Sequence, residues 1–190
     1  VNRVVQKTSK IETAHLSNWA SQLANALSLS VKPVLYIGNG CRDSMQLLKQ
    51  FIESYEIPYF VSWSAIDLFP ESDPLNIGRV GIYGDRAANI ILQQADLLLT
   101  LGTRLAIPQI GYDKKDFGRN ASKWVVELDP SECLKFDGLG WNVINSSVCD
   151  LITDLLDRDI QAIKGTQDWS KWKKVIDKIW SQLPRIDQVG

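Results

Sequence analysis

The chain has 190 residues, enough for one domain with a helical appendage, and a chain of this size buries roughly 70% of its unfolded surface without help from disulfides. Hydrophobic residues at 45%, charged residues at 23% and a mean hydropathy of -0.11 exclude a disordered or membrane-spanning chain. Lys and Arg total 21 against 22 Asp and Glu, a formal charge of -1, so no broad field draws in nucleic acid or an anionic membrane and neither is expected as a partner.

The first 14 residues are mostly polar with little periodicity, which predicts a linker over 1–14. Because residue 1 is Val and not Met, the chain is expected to be a piece excised from a longer one. Leu16, Trp19, Ala20, Leu23 and Leu27 then make one apolar stripe and predict a helix from about Ala14 to Ser28. Pro33 ends it. Val34 to Ile37 is a continuous apolar run that closes at Gly38, the pattern of a strand buried on both faces. A second helix follows on Leu48, Phe51, Ile52 and Tyr55, then a strand over Tyr59 to Val61.

The alternation continues with a helix carrying Ala88, Ile91, Leu92 and Ala95 and a strand from Leu97 to Leu101. Lys123 to Leu128 and Trp141 to Ile144 predict two more strands, and Val148, Leu151, Ile152, Leu155 and Ile163 a long helix. Trp169, Trp172, Ile176, Ile179, Trp180 and Leu183 form a last amphipathic helix, whose lysines Lys171, Lys173, Lys174 and Lys178 read as a solvated face. This order predicts an α/β fold: a doubly wound, Rossmann-like parallel sheet of five or six strands with helices on both faces, over residues 15–165. Residues 166–190 are left as a terminal helix and linker.

Cys41, Cys133 and Cys149 are odd in number and far apart, and read as reduced, buried thiols of a cytoplasmic protein. The single histidine, His15, rules out metal sites built on several imidazoles and most histidine acid/base schemes, so no metal site is expected. No run of about 20 apolar residues exists, and the first residues show no n-region and h-region, so secretion by the usual signal is not expected.

The stretch from Ser62 to Asp85, with Pro70, Pro74, Gly78, Gly81 and Gly84, is too long for an ordinary connection. It leaves the carboxyl end of the second strand, where open parallel sheets bind ligands. Gly38, Asn39 and Gly40 follow the first strand and precede a helix, so bare backbone there fits either a ligand's approach or a plain tight turn. The dinucleotide fingerprint is incomplete, since Asp43 stands where its third glycine belongs. Gly81 and Gly84 frame Ile82 and Tyr83, a close backbone approach or a sharp loop. Arg104, after Gly102 and Thr103, suits a phosphate or a salt bridge. Glu127 and Asp129 at the end of the fourth strand share one side of it and suit ribose hydroxyls; the alternative for Asp129, just before Pro130, is a helix cap. Four such loops at one end of four strands predict a nucleotide-sized cleft. Catalytic machinery is missing: there is no G-x-S-x-G elbow and no G-x-x-x-x-G-K-[ST] loop.

Six segments in order, KPVLYIGNGC (32–41), IPYFVSWSAID (57–67), FPESDPLNIG (69–78), VGIYG (80–84), ADLLLTLGTRL (95–105) and KWVVELDPSEC (123–133), resemble the central domain of thiamine diphosphate enzymes of the acetolactate synthase type. The resemblance spans about Leu16 to Leu183 and implies a DHS-like NAD/FAD-binding fold. It also implies a parent enzyme, a 2-oxoacid carboligase (transferase) or decarboxylase (lyase), holding thiamine diphosphate and magnesium in separate pyrimidine-binding and diphosphate-binding domains. The family's diphosphate motif is incomplete here: Gly84, Asp85 and Arg86 begin like Gly-Asp-Gly but lack its last glycine, and no Asn-Asn pair follows. The chain is therefore expected to bind no thiamine diphosphate and to catalyse nothing alone, as a scaffold within a homo-oligomeric cytoplasmic parent.

Flavin-containing members hold FAD in this domain, and relatives hold ADP or nothing. Carried across by the resemblance, the ligand contacts are Gly38, Asn39 and Gly40 after the first strand and Ser62, Trp63 and Ser64 after the second. The set continues with Gly81, Ile82, Tyr83 and Gly84 in the long loop, Gly102, Thr103 and Arg104 after the third strand, and Glu127 and Asp129 after the fourth. Where flavin-binding members read G-x-R-F-D-D-R, this chain has Leu105, Ala106, Ile107 and Pro108 after Arg104, losing two acids and an arginine; each lost charge-assisted contact forfeits about 1.5–3 kcal/mol of FAD affinity. The alternatives are a stand-alone NAD- or ADP-binding protein, such as an NAD-consuming deacylase, and a structural module with an empty cleft. The deacylase needs a catalytic His and commonly a four-Cys zinc site, against one His and three Cys here.

Overall fold

Burial on both faces is what a central parallel strand requires, and Pro33–Ile37 meets it with five consecutive buried residues. The structure, a computed structural model, describes residues 2–158 and 168–184, with side chains from Leu16 onward. In chain order the elements are α1 (Asn2–Leu29), β1 (Pro33–Ile37), α2 (Met45–Tyr55), β2 (Tyr59–Val61), α3 (Arg86–Gln94) and β3 (Leu97–Leu101). They continue as α4 (Ile107–Ile110), β4 (Ser122–Glu127), α5 (Pro130–Cys133), β5 (Asn142–Asn145), α6 (Val148–Asp157) and α7 (Ser170–Gln182). The five strands form one parallel sheet in the order β2-β1-β3-β4-β5, with Leu35 opposite both Tyr59 and Leu99, and Trp124 opposite Leu99 and Asn142. The doubly wound α/β reading of the sequence holds, with five strands.

Side chains alternate across a strand, so each strand feeds two cores. Leu35 and Ile37 of β1, Leu99 and Leu101 of β3 and Val126 of β4 pack with Leu23 and Leu27 of α1, Phe51 of α2 and Leu151 of α6. Val34, Tyr36, Leu98 and Val125 face the other way, onto Ile91 and Leu92 of α3 and Trp172 and Ile176 of α7. The outer edge of the short β2 is covered by its own long loop, through the Leu75 carbonyl accepting from Tyr59 N–H at 2.8 Å and the Gly78 carbonyl accepting from Val61 N–H at 3.1 Å.

Two element boundaries depart from the sequence reading. Helix α1 starts at Asn2 rather than near Ala14, running through the expected linker, because no Gly or Pro interrupts residues 2–29; the apolar stripe marks where a helix packs, not where it begins. Helix α6 ends at Asp157, where Arg158 turns to extended backbone, and Ile163 lies outside the described residues. Among the described residues no helix is long and apolar enough to cross a membrane.

The end of the sheet opposite the strand exits is tied by one carboxylate. Asp96, at the start of β3, accepts from Ser30 Oγ at 2.5 Å, Val31 N–H at 2.8 Å and Lys32 N–H at 2.9 Å, holding the α1–β1 turn. From α7 and the residue before it, the indole N–H groups of Trp172 and Trp169 donate to Pro33 O at 3.1 Å and Ser30 O at 2.9 Å. Asp96→Ala removes a charged acceptor shared by three donors and is expected to destabilise the chain by about 2–3 kcal/mol in urea unfolding; a change below about 0.5 kcal/mol shows that the turn holds without it.

Candidate functional site

From β1 the chain passes to β2 on one side and then to β3 on the other, so the sheet order reverses at the β1/β3 junction. Open parallel sheets leave a crevice at such a point, beyond the carboxyl ends of the strands. Here the crevice is a cleft of about 1000 Å³, lined from the exits of all five strands. That is the size of a nucleotide site.

The glycines at its floor are used for packing. Gly38 N–H donates to Leu101 O at 2.9 Å and Gly40 N–H to Gly102 O at 3.0 Å. A Cβ on Gly38 would lie 2.2 Å from Gly102 O and 2.6 Å from Thr103 Cβ, and Gly102 itself has φ +55. Asn39 and Gly40 line the cleft, as do Gly102, Thr103 and Arg104, while Gly38 is buried behind them. The Cys41 thiol is sealed under this floor, donating to Leu101 O at 3.3 Å; burial pushes it up to about 12, with Gly38's backbone pulling the other way.

The long loop after β2 supplies the aromatic wall. Ser62 is buried, its N–H donating to Ile37 O at 2.8 Å and its hydroxyl 3.2 Å from that of Ser64. Trp63 and Ser64 line the cleft with Tyr83. The Trp63 and Tyr83 rings meet edge to face at 6.4 Å, and the Arg79 guanidinium lies 5.3 Å from the Trp63 centroid. Ile82 is exposed and, with Gly81 and Gly84, stays outside the lining. Gly81 has φ +106, and a Cβ there would be 2.5 Å from Pro108 O. The Asn89 amide brackets Gly81, accepting from its N–H and donating to its carbonyl, each at 3.0 Å.

At the exit of β3, Arg104 is exposed and has no ion pair among the described residues. The segment after it turns through Leu105 at φ 47 into α4, presenting Ala106, Pro108 and Gln109 to the cleft. At the exit of β4, Glu127 lines the cleft with one carboxylate oxygen accepting from Asp129 N–H at 3.0 Å. Asp129 corrects the expectation of two carboxylates on one side of the strand, because β4 ends at Glu127 and strand alternation ends with it. It caps α5, accepting from Ser131 N–H at 2.9 Å and Ser131 Oγ at 2.6 Å. Those hydrogen bonds, with a smaller pull from Arg104, hold Asp129 below the usual carboxylate range.

Several lining residues escape the sequence reading: Asp43 and Ser44 before α2, and Ser146 to Cys149 at the turn from β5 into α6. The second group carries a legible signal, since Ser147 caps α6 by accepting from Asp150 N–H at 3.0 Å while donating to its carboxylate at 2.7 Å. The expectation of three buried thiols holds for Cys41 alone. Cys133 is half-buried, with Sγ 3.7 Å from Glu127 O, and Cys149 is exposed in the first turn of α6, facing the cleft. Three lining side chains carry charge, Asp43 and Glu127 against Arg104. The Ser147 hydroxyl and the Asp150 carboxylate are engaged with each other in capping α6. Among the described residues no cluster of His, Cys, Asp or Glu can hold a metal ion. The cleft lining thus presents hydrogen-bonding groups, one guanidinium and two aromatic rings.

Comparison with known proteins gives the cleft a context. The family profile described as "Thiamine pyrophosphate enzyme, central domain" matches residues 20–137. The chain is 27% identical over 161 residues to the acetolactate synthase isozyme 1 large subunit of Escherichia coli (strain K12), covering 85% of this chain and 27% of that protein. It is 29% identical over 171 residues to the acetolactate synthase large subunit of Corynebacterium glutamicum, covering 87% and 27%. It is 35% identical over 111 residues to acetolactate synthase 1, chloroplastic, of Zea mays, covering 58% and 17%. The chain thus spans at most 27% of the length of these relatives.

Gly38→Ala is expected to lower stability by about 1–3 kcal/mol, read as a lower urea midpoint, because its Cβ has no room against the Gly102 carbonyl. An unchanged midpoint shows that the two exits separate freely. In the folded chain a maleimide is expected to label Cys149 first, Cys133 slowly and Cys41 only on unfolding, followed by mass spectrometry. Early labelling of Cys41 contradicts the sealed floor.

Proposed function

The chain belongs to the thiamine pyrophosphate enzyme central-domain family, and on that premise we propose that it is a noncatalytic scaffold of an acetolactate synthase-like 2-oxoacid carboligase or decarboxylase, with a cleft that takes an adenine nucleotide. In this reading residues 15–165 form the central domain and the flanking segments lead toward pyrimidine-binding and diphosphate-binding domains of a cytoplasmic, homo-oligomeric parent. Those domains hold the thiamine diphosphate and its magnesium, and that cofactor supplies the carbanion chemistry when bound. The observation that carries the reading is the convergence of five strand exits on one nucleotide-sized cleft.

The donor set favours ADP over FAD. A flavin dinucleotide carries a ribityl chain and a flavin ring beyond its ADP half, and these need polar contacts of their own. The segment from Leu105 to Pro108 adds no charge. FAD fits these residues less well than ADP. ADP has neither the ribityl chain nor the flavin ring to place, and Glu127 keeps one oxygen for a ribose hydroxyl.

Thermal unfolding with ADP, FAD and NAD tests the cleft. At 100 times its Kd a ligand stabilises by about 2.7 kcal/mol, which raises the Tm of a chain of this size by about 5–10 °C. ADP is expected to give that shift and FAD a smaller one; no shift with any of the three removes the nucleotide reading. Release of carbon dioxide from a 2-oxoacid by this chain, with thiamine diphosphate and magnesium added, overturns the noncatalytic assignment.

A further inference from the structure

Resting on the nucleotide reading of the cleft, we propose that the site recognises the planar ring and sugar of its ligand and leaves the phosphates in solvent, so that a nucleoside is the unit it selects. Three features remove the usual means of holding phosphate. The glycine turn after β1 is packed against the β3 exit, with Gly40 N–H already bonded to Gly102 O. Arg42, the next cation beyond that turn, is paired with Asp67 at 2.9 Å and donates to Asn39 Oδ1 at 3.1 Å. The first turn of α6 carries its own anion, Asp150, bound to the capping Ser147. Arg104 is then the one lining cation, and it faces two lining carboxylates.

The features that hold a flat ring are, by contrast, built and braced. Trp63 is 48% and Tyr83 72% exposed, large aromatic surface kept open at the cleft wall. The Arg79 guanidinium against Trp63 is set in place by Asp85 at 3.8 Å and Glu71 at 3.9 Å. Tyr83 rides on a loop that Asn89 clamps at Gly81. Stacking on aromatic side chains is tolerant of ring identity and independent of phosphate charge. Glu127, half-buried and with one oxygen committed to Asp129 N–H, offers the other to sugar hydroxyls and repels a phosphate brought alongside.

Calorimetric titration of the 190-residue chain with adenosine, AMP and ADP, at low and high salt, tests this. Adenosine and ADP are expected to bind within about threefold of each other with little salt dependence, and Arg104→Ala to change ADP binding by no more than about threefold. Trp63→Ala is expected to weaken all three by about tenfold or more, with Trp63→Phe recovering most of the loss. Unfolding curves confirm that the variants are folded, which the half-exposed position of Trp63 permits. ADP binding tenfold or more tighter than adenosine, lost with Arg104→Ala, overturns the inference and leaves the nucleotide cleft standing. Equal binding by folded Trp63→Ala also overturns it. If the unaltered chain binds none of the three, the nucleotide reading falls and this inference with it.

Discussion

Contact between bare backbone at Gly38, Gly40 and Gly102 joins the exits of β1 and β3, and the remaining geometry of the cleft is referred to that junction. A parallel sheet that reverses its order tends to splay where two successive loops depart in opposite directions. Absence of side chains at these three positions allows the loops to bond to each other instead. The consequence for binding is direct: the backbone that an unobstructed glycine turn would offer to a ligand's pyrophosphate is spent within the protein.

Polar groups brace the rest of the cleft through the backbone of its loops. Asn89 brackets Gly81, Asp85 accepts from Arg79 N–H at 2.9 Å, Asn76 Oδ1 accepts from Gly78 N–H at 3.1 Å, and Gln109 Oε1 accepts from Ala106 N–H at 2.8 Å. Each bond satisfies a loop amide that no sheet neighbour could reach. A long connection becomes a fixed wall in this way, with Trp63 and Tyr83 held outward. At the far end of the sheet, Asp96, Trp169 and Trp172 perform the same service for the turn into β1. Both ends of the strands are therefore braced by polar groups, the cleft loops by side-chain amides and carboxylates and the far turn by Asp96 and two indoles.

The strands were legible because continuous apolar runs at 34–37, 59–61 and 97–101 have one economical solution, burial on both faces of a sheet. The long loop announced itself by its prolines and glycines. Less legible were features that depend on where a strand stops. Asp129 looked like a partner of Glu127, yet β4 ends at Glu127, so the alternation that would put the two on one face does not reach Asp129, which caps the next helix instead. Cys149 looked like an ordinary buried thiol, and only the direction of α6 turns its first turn toward the cleft. Asp43 showed in the sequence only as the break in the glycine fingerprint, and its place on the cleft lining needed the fold.

Periodicity and composition alone determined the alternation of strands and helices and the doubly wound class, because local burial demands are written one position at a time. Which glycines meet, which cations are already paired and which aromatic rings stay open were decided only by the tertiary structure. Those properties belong to pairs of residues distant along the chain, such as 40 and 102 or 63 and 83, and a sequence read without its fold assigns no distance between them.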